Sequence, residues 1–435
     1  MPAPIPEPLL LRNVRLLDSA DLVDVYLEGG RIAAIGDVPA AAPGEIIDAQ
    51  GGLLTPAFVE PHFHIDKALT FPQLPPTDHG KALDAALERT RRVKSRFTRD
   101  DLWARGTRAI ELAVGHGVGT LRAHVDVDPV GGLLALSVMA ELRERYLDVI
   151  DIQLVAFPQE SIVRDGAALR LLRTALTSGA DVLGGAPDVE LPEDRSRHIE
   201  LLVELARELD VDLDVHCDYS YDPQQRDLKL LADKTIEAGL VGRVRAGHCC
   251  ALDSYPDTVA AEVIEAIRAA EIDICVCPMG NLLLVGDEIP PRGRGVARLR
   301  TLLHHGVRVA AGSDNMHDMW FPFGRLDPAE VAMVTAVAAQ LGSDREIRQV
   351  FDMVTVNAAH YVRAPADGVR VGAVADLVVF SASCLPDILR NAPGRRTTIK
   401  RGRVVGGAES RVWLARPPAP PEATIEVPIN SRFPP

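Results

Sequence analysis

The feature that most restricts the fold is a regular alternation of strand-like and helical segments across the middle of the chain. Between the strand-like runs, residues 194–210 and 255–271 carry apolar residues at the three-and-four spacing of amphipathic helices. Such alternation favours a parallel sheet built from βα units, and eight units predict a (β/α)8 barrel. The eight runs read LLTPAFVEPHFH, VGTLRAHVDV, VIDIQLVAFPQ, ADVLGGAPD, VDLDVHCD, RVRAGHC, IDICVCPMGN and VRVAAGSDN.

The two ends of the chain have a different pattern. Residues 7–54 and 370–406 contain short alternating strands separated by turns. We predict that they pair into one small β-sandwich domain formed by residues 1–55 and 370–415, with the barrel at 56–369. A proline-rich segment at 416–435 is expected to form an extended arm or strap.

Composition narrows the class of partner. With 435 residues, 47% of them hydrophobic, the chain can bury a large core, and its net charge of −14 argues against nucleic acid or an anionic membrane as the main partner. No apolar run reaches about 18 residues and the start lacks a signal-peptide pattern, so a cytoplasmic location is expected. Six cysteines without a C-x-x-C pair indicate core residues rather than a disulfide framework. A small-molecule substrate fits best, and assembly into a homo-oligomer stays open.

Polar residues occur where the predicted strands end, which is the catalytic face of such a barrel. His62 and His64, in FVEPHFHIDKALT, are two residues apart, so in an extended strand both side chains point to the same side and can reach one ion on the barrel axis. If they were only core histidines, the ligand-type residues ending strands 5 and 8 would have no explanation. The other strand-end residues are His124, Asp126, Gln159, His216, His248 and Asp314.

These strand ends carry a family resemblance. The segments TPAFVEPHFHID, LVAFPQE, DVHCD, RVRAGH and GSDNMHDMWFPFG resemble, in order, the motifs of the amidohydrolase superfamily and its cytosine deaminase branch. The resemblance implies one divalent metal ion, Zn, Fe(II) or Mn, with a set of four ligands. The implied ligands are His62, His64, His216 and Asp314.

The resemblance also implies roles around the metal. His248 is expected to face the water at the metal and Asp314 to carry that water's proton to the leaving nitrogen. Gln159 is expected to bind the substrate ring and Trp320 to form a wall of the pocket. A second metal bridged by a carboxylated lysine on strand 4 is excluded, because no lysine lies between residues 95 and 228.

Two positions depart from the cytosine deaminase pattern. That branch has a glutamate where HCDYS places Tyr219, and a second carboxylate where this chain has Asn315. A tyrosine, with an ordinary pKa near 10, donates a hydrogen bond but transfers a proton poorly at neutral pH. Both residues are therefore expected to contact substrate, and cytosine itself is expected to be a poor substrate.

Lys67 is a charged residue that the cytosine deaminase pattern does not have at this position. The HxHxDK start resembles that of N-isopropylammelide hydrolases. Lys67 either pairs with a carboxylate at the barrel rim or acts catalytically, by stabilising negative charge on a ring oxygen or by supplying the missing proton. The residue pattern leaves both alternatives open.

The predicted function is hydrolysis of a carbon–nitrogen bond in a small nitrogen heterocycle, by a metal-dependent, cytosine deaminase-like aminohydrolase with altered specificity. The alternatives are an amine hydrolase of the N-alkylaminotriazine type, a cyclic amide hydrolase, and a non-catalytic family member that only binds. The four intact ligand positions argue against the last alternative.

Overall fold

The computed structural model describes residues 6–19, 21–38, 44–74, 83–286, 293–391 and 394–413, and the predicted tail at 416–435 lies outside them. The strands are β1 (Leu9–Leu16), β2 (Leu22–Glu28), β3 (Arg31–Ile35), β4 (Glu45–Asp48), β5 (Leu53–Pro56), β6 (Phe58–Phe63), β7 (Val118–Asp126), β8 (Asp151–Phe157), β9 (Val182–Gly185), β10 (Asp212–Cys217), β11 (Val244–His248), β12 (Asp273–Val276), β13 (Val309–Ala311), β14 (Leu377–Phe380), β15 (Arg395–Lys400) and β16 (Arg403–Glu409).

Helices connect the barrel strands and cover their outer face. They are α1 (Leu83–Lys94), α2 (Arg99–Gly115), α3 (Leu134–Arg145), α4 (Gly166–Thr177), α5 (Arg195–Leu209), α6 (Asp227–Glu237), α7 (Ala251–Ser254), α8 (Asp257–Ala269), α9 (Pro278–Leu284), α10 (Leu299–His304), α11 (Pro328–Ala338), α12 (Asp344–Met353), α13 (Val356–Tyr361) and α14 (Leu385–Asn391). Short 3-10 turns occupy Phe71–Gln73, Pro187–Val189 and Pro192–Asp194. None of the helices in the described ranges has the length and apolarity needed to cross a membrane.

Strands β6 to β13 form one parallel sheet in sequence order, and the sheet closes on itself. At the closure, the backbone N–H of Asp314 donates to the carbonyl of His62 at 2.8 Å, and the N–H of His64 donates to the carbonyl of Asp314 at 2.8 Å. The predicted (β/α)8 barrel is thereby confirmed. The closure also brings the last residues of the first and eighth strands together, which is where the candidate ligands lie.

Both chain ends build the second sheet, as the strand pattern predicts. Its order is β16-β15-β14-β5-β1-β2-β3, with β4 added on β1, and the antiparallel pairing of β5 with β14 joins the amino-terminal to the carboxyl-terminal strands. Some of its buried residues, such as Leu11, Val14 and Ile399, form a separate core, whereas Val378 and Phe380 of β14 pack into the core of the barrel. The exact domain boundaries at 55/56 and 369/370 stay a prediction.

Buried ion pairs attach this sheet to the barrel. The Lys400 ammonium, on β15, donates to Asp151 at 2.6 Å and to Asp376 at 2.7 Å, and the Arg396 guanidinium donates to both oxygens of Asp327 at 2.8 and 2.9 Å. Lys400 and Arg396 are buried, so losing one partner would leave a charge unpaired in a nonpolar environment.

Several predicted strands differ in extent from the observed ones, and ADVLGGAPD and VRVAAGSDN are extended only at Val182–Gly185 and Val309–Ala311. The run LLTPAFVEPHFH contributes β5 to the small sheet and β6 to the barrel. The run IDICVCPMGN was predicted as one strand, but only Asp273–Val276 is extended, and Pro278 begins α9. Proline is favoured in the first turn of a helix because its missing N–H has no intrahelical partner there. The prediction for the second half of that run is therefore wrong.

Candidate active site

Three imidazoles converge where β6 and β10 end. His62 lies in β6, His64 follows it directly, and His216 lies near the end of β10. The Nε2 atom of His216 is 3.1 Å from Nε2 of His62 and 3.0 Å from Nε2 of His64. Burial lowers the pKa of all three rings well below the usual value, so all three are neutral near pH 7.

Asp314 completes the cluster from the segment after β13. Its Oδ1 atom is 3.4 Å from Nε2 of His64 and 3.7 Å from Nε2 of His62. The residue has a φ of +64°, an uncommon conformation for a side chain other than glycine, held by the backbone pairing with β6. Burial, followed by the nearby Asp318 carboxylate, raises the pKa of Asp314 to about 8.

The donor set fits a divalent cation. A hydrogen bond from one imidazole can satisfy only one neighbour, whereas here Nε2 of His216 faces two other ring nitrogens at hydrogen-bond distance. Nitrogen and oxygen donors of this kind suit Zn, Fe(II) or Mn. Glycines leave room for them, because a Cβ on Gly247 would lie 3.0 Å from the His62 ring and one on Gly280 would lie 3.1 Å from the Asp314 carboxylate.

His248 faces the same space from the end of β11. One potential ligand atom of His248 lies within 4.8 Å of those of His62, His216 and Asp314. The Nδ1 atom of His248 lies 3.1 Å from Nδ2 and 3.4 Å from Oδ1 of the Asn281 amide, which leaves Nε2 as the ring nitrogen that Asn281 does not contact. That Nε2 is buried and has no hydrogen-bond partner within the described part of the chain. Burial lowers the pKa of His248 to about 3, so the ring offers a neutral N–H donor.

Lys67 is buried in the interior of the barrel mouth. Its side chain is 1% exposed, its ammonium pairs with Asp126 at the end of β7, and it donates to Oε1 of Gln159 at 3.1 Å. The structure thus provides the carboxylate partner that the ion-pair alternative expects, Asp126 at the end of β7, and Lys67 is buried there. Lys67 also lines the pocket, so the pairing does not remove it from the site.

A partly open pocket lies against the histidine cluster, and His64, His216 and Asp314 form part of its lining. Trp320 forms one wall, supported by Leu87 and Val93 of α1. The Asp318 carboxylate fixes that wall, because it accepts from the Trp320 backbone N–H at 2.8 Å and from the Asn315 side chain at 2.7 Å. The sequence-predicted residues that line the pocket are His64, Lys67, Gln159, His216, Tyr219, His248, Asp314, Asn315 and Trp320.

Tyr219 lines the pocket after β10, but its phenol is not an effective proton donor. Its ring packs edge-on against His248 with 4.6 Å between the centroids. Burial and the Asp314 carboxylate raise its pKa well above the ordinary value, which makes it a weaker acid still. The two residues of strand β7 have supporting positions: the His124 ring stacks on His62 at 4.0 Å, and Asp126 pairs with Lys67.

Four residues at the site were missed by sequence reasoning. Phe157 and Asp188 line the pocket, Asn281 orients His248, and Glu60 accepts from the backbone N–H of His62 at 3.0 Å and from the Ser313 hydroxyl at 2.6 Å. Asp188 and Phe157 occupy or follow strand ends, so the barrel rule could have indicated them. Glu60 and Asn281 had no distinguishing pattern.

The fold and site together define a barrel enzyme whose histidine and aspartate cluster lies at the C-terminal ends of its strands. A model of the Amidohydrolase family matches residues 95–406, and the chain belongs to this family. The resemblance read from the strand-end motifs is therefore confirmed. Like its relatives, the protein is a hydrolase of carbon–nitrogen bonds other than peptide bonds.

Individual relatives cover nearly the whole chain. N-isopropylammelide isopropyl amidohydrolase of Pseudomonas sp. (strain ADP) is 29% identical over 401 residues, 91% of this chain and 96% of that protein. Pterin deaminase of Rhizobium rhizogenes is 32% identical over 392 residues, 88% of this chain and 87% of that protein. The crystal structure of 5-methylcytosine deaminase from Klebsiella pneumoniae with 5-fluorocytosine superposes with a TM-score of 0.86 at 30% identity, covering 93% of this chain and 99% of that one.

Proposed function

We propose that this protein is a metal-dependent aminohydrolase that releases ammonia or an amine from a small nitrogen heterocycle. One observation carries the proposal: three neutral imidazoles and the Asp314 carboxyl group converge at a pocket on the C-terminal face of the barrel. The ion is proposed to be single and held by His62, His64, His216 and Asp314.

When bound, the cation would lower the pKa of a water molecule toward neutrality and polarise the carbon under attack. The residues around it handle protons and charge. Asp314 takes the proton of the attacking water and delivers it to the departing nitrogen. We assign the proton of the neutral His248 ring to Nε2, with the Asn281 amide at Nδ1, so that His248 donates a hydrogen bond to the oxygen that adds to the substrate ring.

The remaining residues orient the ring. Lys67 and Gln159 form one polar wall, and positive charge there favours a substrate with a carbonyl oxygen or an anionic edge. Phe157 and Trp320 supply the apolar faces that exclude water from the reacting carbon.

The substrate is proposed to be a ring more oxidised than cytosine. The relatives are named for N-isopropylammelide, pterin and 5-methylcytosine, which are all amino-substituted nitrogen heterocycles. With Tyr219 in place of an acid, protonation of a cytosine-like ring nitrogen has no efficient donor at that position. Deamination with this altered specificity is the main proposal.

Displacement of an alkylamine is the second candidate. The observation that favours it is Lys67 itself, buried in the pocket after the HxHxDK motif that resembles N-isopropylammelide hydrolases. The two reactions share the same site and differ in the leaving group.

The test is a screen of aminopyrimidines, aminotriazines, N-alkylaminotriazines, pterins and cyclic amides with protein whose metal content has been measured. Release of ammonia supports deamination, release of an alkylamine supports the second candidate, and ring opening without either product supports a cyclic amide hydrolase. Less than about one-tenth equivalent of transition metal after growth with adequate metal, together with no turnover, would contradict both.

A further inference from the structure

The pocket contains a carboxylate that the proposed chemistry does not use. Asp188 lies in the 3-10 turn Pro187–Val189 directly after β9, and it lines the same pocket as Lys67 and Gln159. Its side chain is 6% exposed. A carboxylate this well buried requires hydrogen-bond donors, and any ligand that enters the pocket displaces water from it.

Neighbouring elements hold Asp188 in one orientation. Its Oδ2 accepts from the backbone N–H of Tyr219 at 3.2 Å, and its Oδ1 accepts from the Gln225 side-chain amide at 2.7 Å. Each carboxylate oxygen has two lone pairs, and the Arg195 guanidinium lies 4.0 Å from Oδ1, beyond hydrogen-bond distance, so each oxygen retains capacity for a further donor. Asp188 is therefore hydrogen-bonded to the backbone of Tyr219, the position where the family resemblance expects an acid. It provides a carboxylate beside that position from the loop after β9.

Lys67 and Gln159, which line the same pocket, offer hydrogen-bond donors rather than acceptors. Lys67 donates to Oε1 of Gln159 at 3.1 Å, so the Gln159 oxygen is occupied by the protein. The Nε2 hydrogens of Gln159 and the remaining ammonium hydrogen of Lys67 are then the groups left for a ligand. The pocket thus offers donors from Lys67 and Gln159 and acceptors from Asp188.

We propose that Asp188 is a specificity-determining residue that accepts a hydrogen bond from an N–H edge of the substrate ring. The ring class that matches both groups is an amino-oxo heterocycle, in which a carbonyl oxygen faces Lys67 and Gln159 and a ring N–H faces Asp188. A 2-amino-4-oxo ring carries both edges. The inference rests on the proposed function only in that the heterocycle enters this pocket.

The experiment compares rings that differ in one N–H. The probes are isocytosine and pterin, each paired with its 3-methyl derivative, which lacks the ring N–H. Binding to metal-loaded wild type, Asp188→Asn and Asp227→Asn is measured by calorimetry, and kcat/KM is measured in parallel. Asp227 is the matched control, because its carboxylate also accepts from Gln225, at 2.7 Å, but does not line the pocket.

Wild type is expected to bind and process at least one N–H ring about 10- to 100-fold better than its 3-methyl partner, the range for a hydrogen bond to a charged group. Asp188→Asn is expected to lower that preference by about 5-fold, because a neutral amide oxygen accepts a weaker hydrogen bond than a carboxylate, and Asp227→Asn to retain it. If the variants and wild type have equal metal content and equal unfolding midpoints, misfolding is excluded as the cause of a reduced preference.

Each other outcome is decisive. If Asp188→Asn keeps the full preference, or Asp227→Asn loses it equally, the assignment of Asp188 is overturned, because a steric effect of the methyl group would then explain the difference. If wild type binds neither N–H ring, the proposed ring class is wrong. If wild type binds with the expected preference but releases no product, the proposed function fails while the binding data still support the role of Asp188.

Discussion

Replacing Lys67 by methionine separates the two roles that the sequence leaves open for it. Methionine has a similar length and no charge, so Lys67→Met removes the ammonium that pairs with Asp126 and donates to Gln159. Lys94 provides a matched comparison. It is also buried and donates to the other Asp126 oxygen at 2.9 Å, but it does not line the pocket.

Both lysine variants should lose stability. Removing one member of a buried ion pair costs about 3–5 kcal/mol. In Lys67→Met, Lys94 still contacts Asp126, so we expect a loss near the lower end, about 3 kcal/mol. Lys94→Met also leaves the buried Asp128 without its lysine partner and should lose at least as much. That is a large part of the typical total of about 5–15 kcal/mol for a folded protein. The double variant Lys67→Met/Asp126→Asn removes both charges of the pair and should recover much of the loss.

Only the Lys67 change should remove activity. Loss of a charged group aimed at developing charge typically lowers kcat by about 10²–10³. We expect this loss in Lys67→Met and in the stabilised double variant, and less than about 10-fold in Lys94→Met. The assays are urea unfolding, metal analysis and kcat/KM on the best substrate of the screen. Activity of Lys67→Met within about 3-fold of wild type, or an equal loss in Lys94→Met, would refute the catalytic role and leave Lys67 as an ion-pair residue.

Four further outcomes are expected. Asp314→Asn should abolish turnover while three imidazoles retain much of the metal, and more than about a tenth of wild-type activity would argue against the proton-carrier role. His216→Ala should empty the site, and a full metal equivalent in that variant would contradict the ligand assignment. Cytosine should be turned over with kcat/KM below about 10⁴ M⁻¹s⁻¹ and Tyr219→Glu should improve it, so efficient wild-type turnover would remove the specificity argument. Burial alone would raise the pKa of Glu190, but the hydrogen bonds that it accepts, above all from His198, have the larger effect and lower the pKa to about 2. The pKa of a glutamate in the unfolded chain is about 4.3. Glu190 therefore adds to the free energy of unfolding above that pH, and this contribution is lost as the pH falls toward 2. Urea midpoints of Glu190→Gln and wild type should therefore lie closer at pH 3 than at pH 7, and an equal difference at both would contradict the shift.

The candidate metal ligands could be predicted from the sequence because the direction of a side chain in a strand depends only on local geometry. Side chains at i and i+2 of a strand share one face, and parallel strands of a barrel end on one side. The positions of His62, His64 and His216 follow from these two rules once the strands are recognised. The same locality explains the error after Val276, where a continuing apolar run hid the change from strand to helix at Pro278.

The sequence alone therefore determined the barrel, the pairing of the two chain ends and the residues that face the barrel axis, because hydrophobic periodicity records which side of each element is buried. Only the tertiary structure decided that Lys67 lies inside the pocket, that Asn281 orients His248 and that Asp188 faces the same space as Gln159. The contacting residues are 33 to 92 positions apart in the sequence, and Asp188 and Gln159 are related only because they line the same pocket. Their partners are set by how the loops meet at the barrel mouth, and no local periodicity encodes that arrangement.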